Sequence, residues 1–283
     1  MKKYVQEATD INIWTSIKNN TFERNKDIKE FIDGLELIDE SACISLDAKW
    51  GDGKTFFVRQ IEEVLKYVLA NQRADEENPI EKIPSYEYLK DNEMMAKIDL
   101  KHSYLPIYYN AWMYDNHSDP LMSLLLVMTK TCKGVYDTKI DSEKISEKLI
   151  KALSTLPISL GEFKMNPFTV AEKLQVKKVD ILSLVQTEEE IRERVKGIFN
   201  DIIVERAQKL IIFIDELDRC RPSFAIEMLE RIKHYFDDER VIFVVSLNKE
   251  QLIHTITSYY GSGFDATRYL NKFLGQFTRN YTQ

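Results

Sequence analysis

The segment that most limits the possible folds of this chain is a short apolar run followed by a glycine-containing loop and a helical pattern. The apolar run covers residues 42–46, the loop reads Trp50-Gly51-Asp52-Gly53-Lys54-Thr55, and apolar residues then recur at helical spacing over 57–68. This order predicts a buried strand, a tight turn and an amphipathic helix. A turn of this kind at a helix N-terminus is suited to bind an anion.

Three further apolar runs, residues 104–110, 210–214 and 241–247, predict additional strands. Unbroken runs rich in β-branched residues are typical of strands buried on both faces of a parallel sheet. Helical patterns separate them, at 22–38, 120–132, 191–202, after Pro222 and at 251–259. The alternation predicts an α/β fold with three layers, helix–sheet–helix, around a mainly parallel sheet.

We expect residues 1–283 to form one domain, with a polar surface excursion at 71–97 and a helical insertion at 134–186. The net charge is −7, which argues against strong non-specific binding of nucleic acid, because that affinity comes from neutralised phosphates. No run approaches the roughly 20 apolar residues of a membrane span, so we expect none. The cysteines, Cys43, Cys132 and Cys220, are widely spaced and odd in number, which favours reduced thiols and a cytoplasmic location.

Residues 48–55 match the phosphate-loop pattern Gly-x-x-x-x-Gly-Lys-Ser/Thr at every fixed position except the first, where Ala48 stands. In such a loop the backbone amides of Trp50, Gly51, Asp52 and Gly53 would bind phosphate oxygens. Lys54 would bridge the β- and γ-phosphates, and the Thr55 hydroxyl would hold Mg²⁺. Alanine at position 48 costs about 1 kcal/mol or more if φ is positive there, and nothing if φ is negative. A glycine-rich turn without a ligand is the alternative explanation.

The second acidic motif follows the apolar run 210–214, as Asp215-Glu216. Asp215 at a strand end would hold an Mg²⁺-bound water, and Glu216 would polarise the water that attacks the γ-phosphate. Together with the Lys54 loop, this motif predicts a site for a nucleoside triphosphate with Mg²⁺.

Four segments, within about residues 22 to 280, resemble the KAP family of P-loop NTPases. They are the loop Trp50 to Thr55, Asn110-Ala111-Trp112-Met113-Tyr114, Asp215-Glu216-Leu217-Asp218-Arg219-Cys220 and Tyr269-Leu270-Asn271-Lys272-Phe273. The resemblance implies an Mg²⁺-dependent ATPase with Glu216 as the catalytic glutamate. Many members carry membrane helices between the two motifs, and this sequence has none there, which implies a soluble member.

Several further residues are candidates for the same site. Asn248 directly follows the strand 241–247, where related NTPases have a polar sensor of the γ-phosphate. An asparagine is equally suited to a turn at this position. Arg219, Arg221 and Arg268 are candidates for stabilising charge in the transition state, and the resemblance favours Arg219. The resemblance also suggests that Arg24 lies near the base of the nucleotide. Trp112 is expected to be a core aromatic residue.

The predicted function is Mg²⁺-dependent binding and hydrolysis of ATP, coupled to a conformational change or to control of an effector protein, or to self-association. The family association suggests bacterial antiphage defence as a setting. Two alternatives remain open: a nucleotide-sensing scaffold with little hydrolysis, and a kinase built on the same loop.

Overall fold

The computed structural model describes residues 7–75, 79–117, 119–134, 193, 195–197, 199, 200, 203, 207–235 and 238–274. The strands are β1 (Ala42–Asp47), β2 (Tyr104–Asn110), β3 (Lys209–Asp215) and β4 (Val241–Leu247). The helices are α1 (Asp10–Lys18), α2 (Asn25–Leu35), α3 (Lys54–Gln72), α4 (Tyr86–Leu89), α5 (Pro120–Gly134), α6 (Pro222–Tyr235), α7 (Lys249–Tyr260) and α8 (Ala266–Leu270). The described residues between 193 and 203 are also helical. Apart from Gly134, the insertion predicted at 134–186 lies outside the described residues.

The strands form a four-stranded sheet in the order β1-β4-β3-β2, and every neighbouring pair is parallel. The predicted α/β class with a parallel sheet is confirmed. At the carboxyl edge the register places Asp215 of β3 between Ser246 of β4 and Asn110 of β2. Leu46 of β1 lies on the other side of Ser246.

Helices cover both faces of the sheet, as the sequence predicts. One face packs on α1, α2, α3 and α4 and includes Ile211 and Phe213 of β3. The other packs on α5, α6, α7 and α8 and includes Ile212 and Ile214. Because side chains alternate along a strand, Asp215 belongs to the same face as Ile211 and Phe213, which is the face of α3.

The first helix, α1, is not predicted by the sequence analysis. It buries Ile13 and Ile17 completely, and the Thr9 hydroxyl accepts a hydrogen bond from the Asn12 amide as an N-cap. The segment predicted as a polar excursion contains α4, whose Leu89 is fully buried, and Met94 is nearly so. This segment therefore contributes apolar side chains to the core beside α1 and α3.

In the parts of the chain that the structure describes, no helix combines the length and the apolar character that a membrane span requires.

Candidate functional site

The loop after β1 owes its shape to its two glycines. Gly51 has φ +94° and Gly53 has φ +79°, the left-handed region that favours glycine. Gly53 directly precedes α3, which therefore begins at Lys54. Ala48 is not among the residues with positive φ, so alanine at this position carries no left-handed strain. Its amide continues the β1–β4 ladder by donating to the Leu247 carbonyl at 3.2 Å.

The Lys54 ammonium lies across this loop. Its Nζ donates to the carbonyl oxygens of Ala48 at 2.6 Å and Lys49 at 3.0 Å. Burial lowers the pKa of Lys54, and the carboxylates of Asp218 and Asp215 are the two largest opposing influences. The lysine of the glycine loop is thus within electrostatic reach of the acidic motif.

Arg24, immediately before α2, also contacts the loop. Its guanidinium donates to the carbonyl oxygens of Gly53 at 3.2 Å and Asp52 at 3.1 Å. A Cβ at Gly53 would lie only 3.0 Å from Arg24 Nη2. Arg24 therefore satisfies two carbonyl oxygens of the loop, while the positive φ favours glycine at position 53.

Asp215 is the last residue of β3 and is 1% exposed. Each of its carboxylate oxygens accepts one hydrogen bond at 3.0 Å, Oδ2 from the Tyr108 hydroxyl and Oδ1 from the Glu216 amide. An acid in this position has a fixed orientation at the carboxyl edge of the sheet, where ligands of parallel α/β sheets bind.

Glu216 turns the chain away from β3 with φ +61°, a left-handed conformation in a non-glycine residue. Its Oε1 forms an ion pair with Arg219 at 3.2 Å, and its Oε2 accepts from the Asn110 side-chain amide at 3.4 Å. Burial raises the pKa of Glu216, whereas the Arg219 guanidinium opposes that rise. Glu216 is therefore a carboxyl group with an elevated pKa, and contacts with Arg219 and Asn110 hold it in position.

The glycine loop and the acidic motif are in direct contact. Trp50 Nε1 donates to Asp218 Oδ2 at 2.5 Å, a hydrogen bond between residues 168 positions apart in sequence. Asp218 lies in the short 3₁₀ helix Leu217–Arg219 that follows Glu216, and it is only 7% exposed. The arrangement brings together the predicted site residues Trp50, Lys54, Asp215, Glu216 and Arg219.

Asn248 occupies the position that the sequence analysis assigned to a sensor, but its oxygen has a local role. Asn248 Oδ1 accepts from the Gln251 amide at 3.2 Å and caps α7. Ser246, two residues earlier, is fully buried next to Asp215 in the register, and its hydroxyl has no hydrogen-bond partner among the described residues. An unpaired buried hydroxyl normally costs free energy, and a bound ligand or water would satisfy it.

The three candidate arginines have different surroundings. Arg219 lies beside Glu216, with its guanidinium 5.6 Å from the ring centroid of Trp112. Arg221 pairs with Asp115 through its side chain, and Arg268 is exposed on α8. The expectation of a buried Trp112 is wrong: the side chain is 52% exposed, because Ala111 takes the buried position after β2 and Trp112 faces Arg219.

The residues of this site suit an Mg²⁺ ion that is shared with the phosphates of a nucleotide better than a metal ion bound by protein side chains alone. Across the described ranges, no group of three or more His, Cys, Asp and Glu side chains is arranged to hold a metal ion. Mg²⁺ is usually bound through one or two protein groups together with substrate phosphates and water. Thr55, the second residue of α3, and Asp215 could supply those groups, and the two left-handed glycines leave positions 51 and 53 without side chains.

The contribution of β2 to this site is not evident from the sequence. Tyr108 and Asn110 of β2 contact Asp215 and Glu216, respectively. The alternation of residues along 104–110 places both on one face, but only the strand order reveals which neighbour they meet.

The model of the KAP family P-loop domain matches residues 24–276, a range that contains the glycine loop, β2 and the acidic end of β3. No curated protein matches the chain. Because the family match covers most of the sequence, the chain belongs to the KAP family of P-loop NTPase domains.

Proposed function

We propose that the chain binds ATP together with Mg²⁺ at the glycine loop and hydrolyses it. The observation that carries the proposal is the Trp50–Asp218 hydrogen bond, which joins the loop to the acidic motif. The position of Lys54, within electrostatic reach of Asp215 and Asp218, supports the same site. Hydrolysis of this kind requires mainly positioning and charge stabilisation, which such an arrangement can provide.

Each site residue has a role in this proposal. The amides of residues 50–53 and the Lys54 ammonium would bind the phosphates, and Thr55 and Asp215 would hold the metal ion. When bound, Mg²⁺ neutralises charge on the β- and γ-phosphates. Glu216 accepts a proton from the attacking water, and its elevated pKa brings it closer to neutral pH, where a general base works best.

Two further residues act around the γ-phosphate. Asn248 would use its amide NH₂ as the sensor, since its oxygen caps α7. Arg219 restrains Glu216 and stabilises the charge that develops during hydrolysis.

A second candidate function, a nucleotide sensor with slow hydrolysis, is favoured by one observation. Glu216 is engaged by Arg219 at 3.2 Å and by Asn110 at 3.4 Å, and these two donors compete with a water for its carboxylate. In that case nucleotide binding, more than turnover, would control an effector or self-association.

The cellular setting belongs to the proposal as well. We place the protein in the cytoplasm, in support of which Cys43 and Cys220 are free thiols. Burial raises the pKa of each thiol to about 12, which keeps both of them protonated. A role in bacterial antiphage defence, through control of an effector, has its support in the family association.

The test measures ATP binding by calorimetry and phosphate release by the intact chain with Mg²⁺. We expect wild-type protein to release free phosphate, Glu216→Gln to bind ATP without release, and Lys54→Ala to lose binding. Lys26→Ala, which removes an exposed lysine of α2, is the matched control and should behave as wild type.

Three other results would favour a different function or a different site. Tight binding without phosphate release by the wild type would support the sensor. Phosphate transfer to a soluble acceptor would identify a kinase and contradict the proposal. Unchanged ATP affinity in Lys54→Ala would refute the site.

A further inference from the structure

We propose that Tyr108 is a positioning residue for the metal: its hydroxyl holds the Asp215 carboxylate in the orientation that receives Mg²⁺, and Arg59 holds the tyrosine ring in place. The inference rests on the proposed function and adds to it a residue from β2, outside both the glycine loop and the acidic motif.

The sheet register explains how Tyr108 reaches Asp215. Tyr108 of β2 pairs with Phe213 of β3, and Asp215 lies two residues further along the same face. The Tyr108 hydroxyl donates to Asp215 Oδ2 at 3.0 Å, while the Glu216 amide donates to Oδ1. One donor on each oxygen fixes the plane of the carboxylate.

Arg59 fixes the ring itself. It belongs to α3, the helix that begins at Lys54, and its guanidinium lies 4.8 Å from the centroid of the Tyr108 ring. Two carboxylates anchor the guanidinium, Asp10 at 2.6 Å and Glu62 at 2.5 Å, and the side chain is only 16% exposed. The helix that supplies the phosphate-binding lysine therefore also orients the tyrosine behind the metal-binding acid.

The chemistry of the phenol restricts Tyr108 to a donor. A phenol has one O–H donor, whereas a carboxylate offers only acceptors. The Tyr108 hydroxyl therefore donates to Asp215 Oδ2 in the 3.0 Å contact. Hydrogen-bond partners that orient a metal ligand in this way tune metal affinity.

The test substitutes Tyr108→Phe, which keeps the ring and removes the hydroxyl. Calorimetry measures binding of a non-hydrolysable imido analogue of ATP over a series of Mg²⁺ concentrations and in EDTA. We expect the Mg²⁺ concentration for half-maximal binding to rise about tenfold, as for loss of an outer-shell partner. Affinity for the analogue in EDTA should stay within about twofold of wild type, and Asp215→Asn should show a larger effect in the same direction.

Tyr109→Phe is the matched control. Tyr109 is the next residue of β2, faces the opposite side of the sheet and shares a buried hydrogen bond of 2.7 Å with the Ser123 hydroxyl. Tyr109→Phe should lower the melting temperature without changing the Mg²⁺ dependence of analogue binding.

An unchanged Mg²⁺ dependence in Tyr108→Phe would overturn the inference. Equal losses with Mg²⁺ and in EDTA would overturn it too, because they indicate only a structural role. If wild-type protein fails to bind the analogue even with Mg²⁺, the proposed function itself fails, and that result is distinct from both.

Discussion

At the scale of single residues, the site depends on backbone conformations that most side chains avoid. Gly51 and Gly53 in the loop and Glu216 after β3 all have positive φ. A non-glycine residue there costs roughly 1–2 kcal/mol, and such strain tends to persist at functional sites. The glycines are readable from the sequence as part of the loop pattern. The conformation of Glu216 is not, because glutamate has no preference for it.

Gly53→Ala should disrupt the loop. Alanine at this position would have an unfavourable φ, and its Cβ would lie 3.0 Å from Arg24 Nη2, so the guanidinium must shift by a few tenths of an ångström. We expect the free energy of unfolding to fall by about 1–2 kcal/mol and ATP affinity to fall about tenfold or more. Chemical denaturation and calorimetry measure the two effects.

The control is Gly34→Ala in α2, where nothing lies within 4 Å of the new Cβ and φ is not positive. It should raise the free energy of unfolding by about 0.5–1 kcal/mol, because alanine is favoured over glycine within helices. Wild-type ATP affinity in Gly53→Ala would contradict the loop's role.

Arg219→Ala should move the acid limb of the pH–rate profile. Burial raises the pKa of Glu216, and Arg219 counteracts that rise by stabilising the carboxylate. Hydrolysis needs the carboxylate form, so turnover increases as pH rises through this pKa. Without Arg219 the pKa rises further, and the acid limb shifts to higher pH. Initial rates of phosphate release across a pH series, at saturating Mg²⁺ and ATP, measure the shift.

Arg221→Ala provides the comparison, because Arg221 pairs with Asp115 instead of Glu216. Its acid limb should match that of the wild type. A limb that moves to lower pH in Arg219→Ala, or does not move, would show that Glu216 is not the titrating base.

At the scale of elements, α3 connects the loop to the helices that cover its face of the sheet. Its buried Glu62 and Glu63 form ion pairs with Lys66, and Glu63 also accepts from Trp14 Nε1 of α1 at 2.6 Å. The strong helical pattern of 57–68 predicts α3 from the sequence. It does not predict that Glu62 and Glu63 are buried there, since one of their partners, Trp14, comes from α1, which is only nine residues long.

Trp14→Phe should loosen the attachment of α1 to α3. Phenylalanine keeps an aromatic ring near Tyr88 but removes the donor to Glu63, whose side chain is only 6% exposed. Leaving a buried acceptor without this partner costs about 1–3 kcal/mol, measured as the free energy of unfolding in urea. Ile11→Ala, on the same helix and 59% exposed, should change it by less than about 0.5 kcal/mol. Equal effects of the two substitutions would rule out a specific role for the Trp14 hydrogen bond.

At the scale of the whole molecule, local patterns predict the parallel sheet and its strands, and also place Lys54 and Asp215 at strand ends. The pairing of β3 with β2 and β4 depends on contacts between distant segments, which no local pattern encodes. For that reason the sequence identifies the two motifs but not the contacts of Tyr108 with Asp215, of Asn110 with Glu216 and of Trp50 with Asp218. The exposed position of Trp112 was mispredicted for a related reason, since its neighbour Arg219 comes from a different strand end.

The central claim is that the glycine loop and the acidic end of β3 form one site for Mg²⁺ and ATP. An experimental structure with Mg²⁺ and the imido analogue of ATP tests it most directly. The account predicts the β- and γ-phosphates at Lys54 Nζ, with the metal ion held between Thr55 and Asp215, directly or through one water. A nucleotide bound elsewhere, or a metal ion with neither residue in its vicinity, would contradict it.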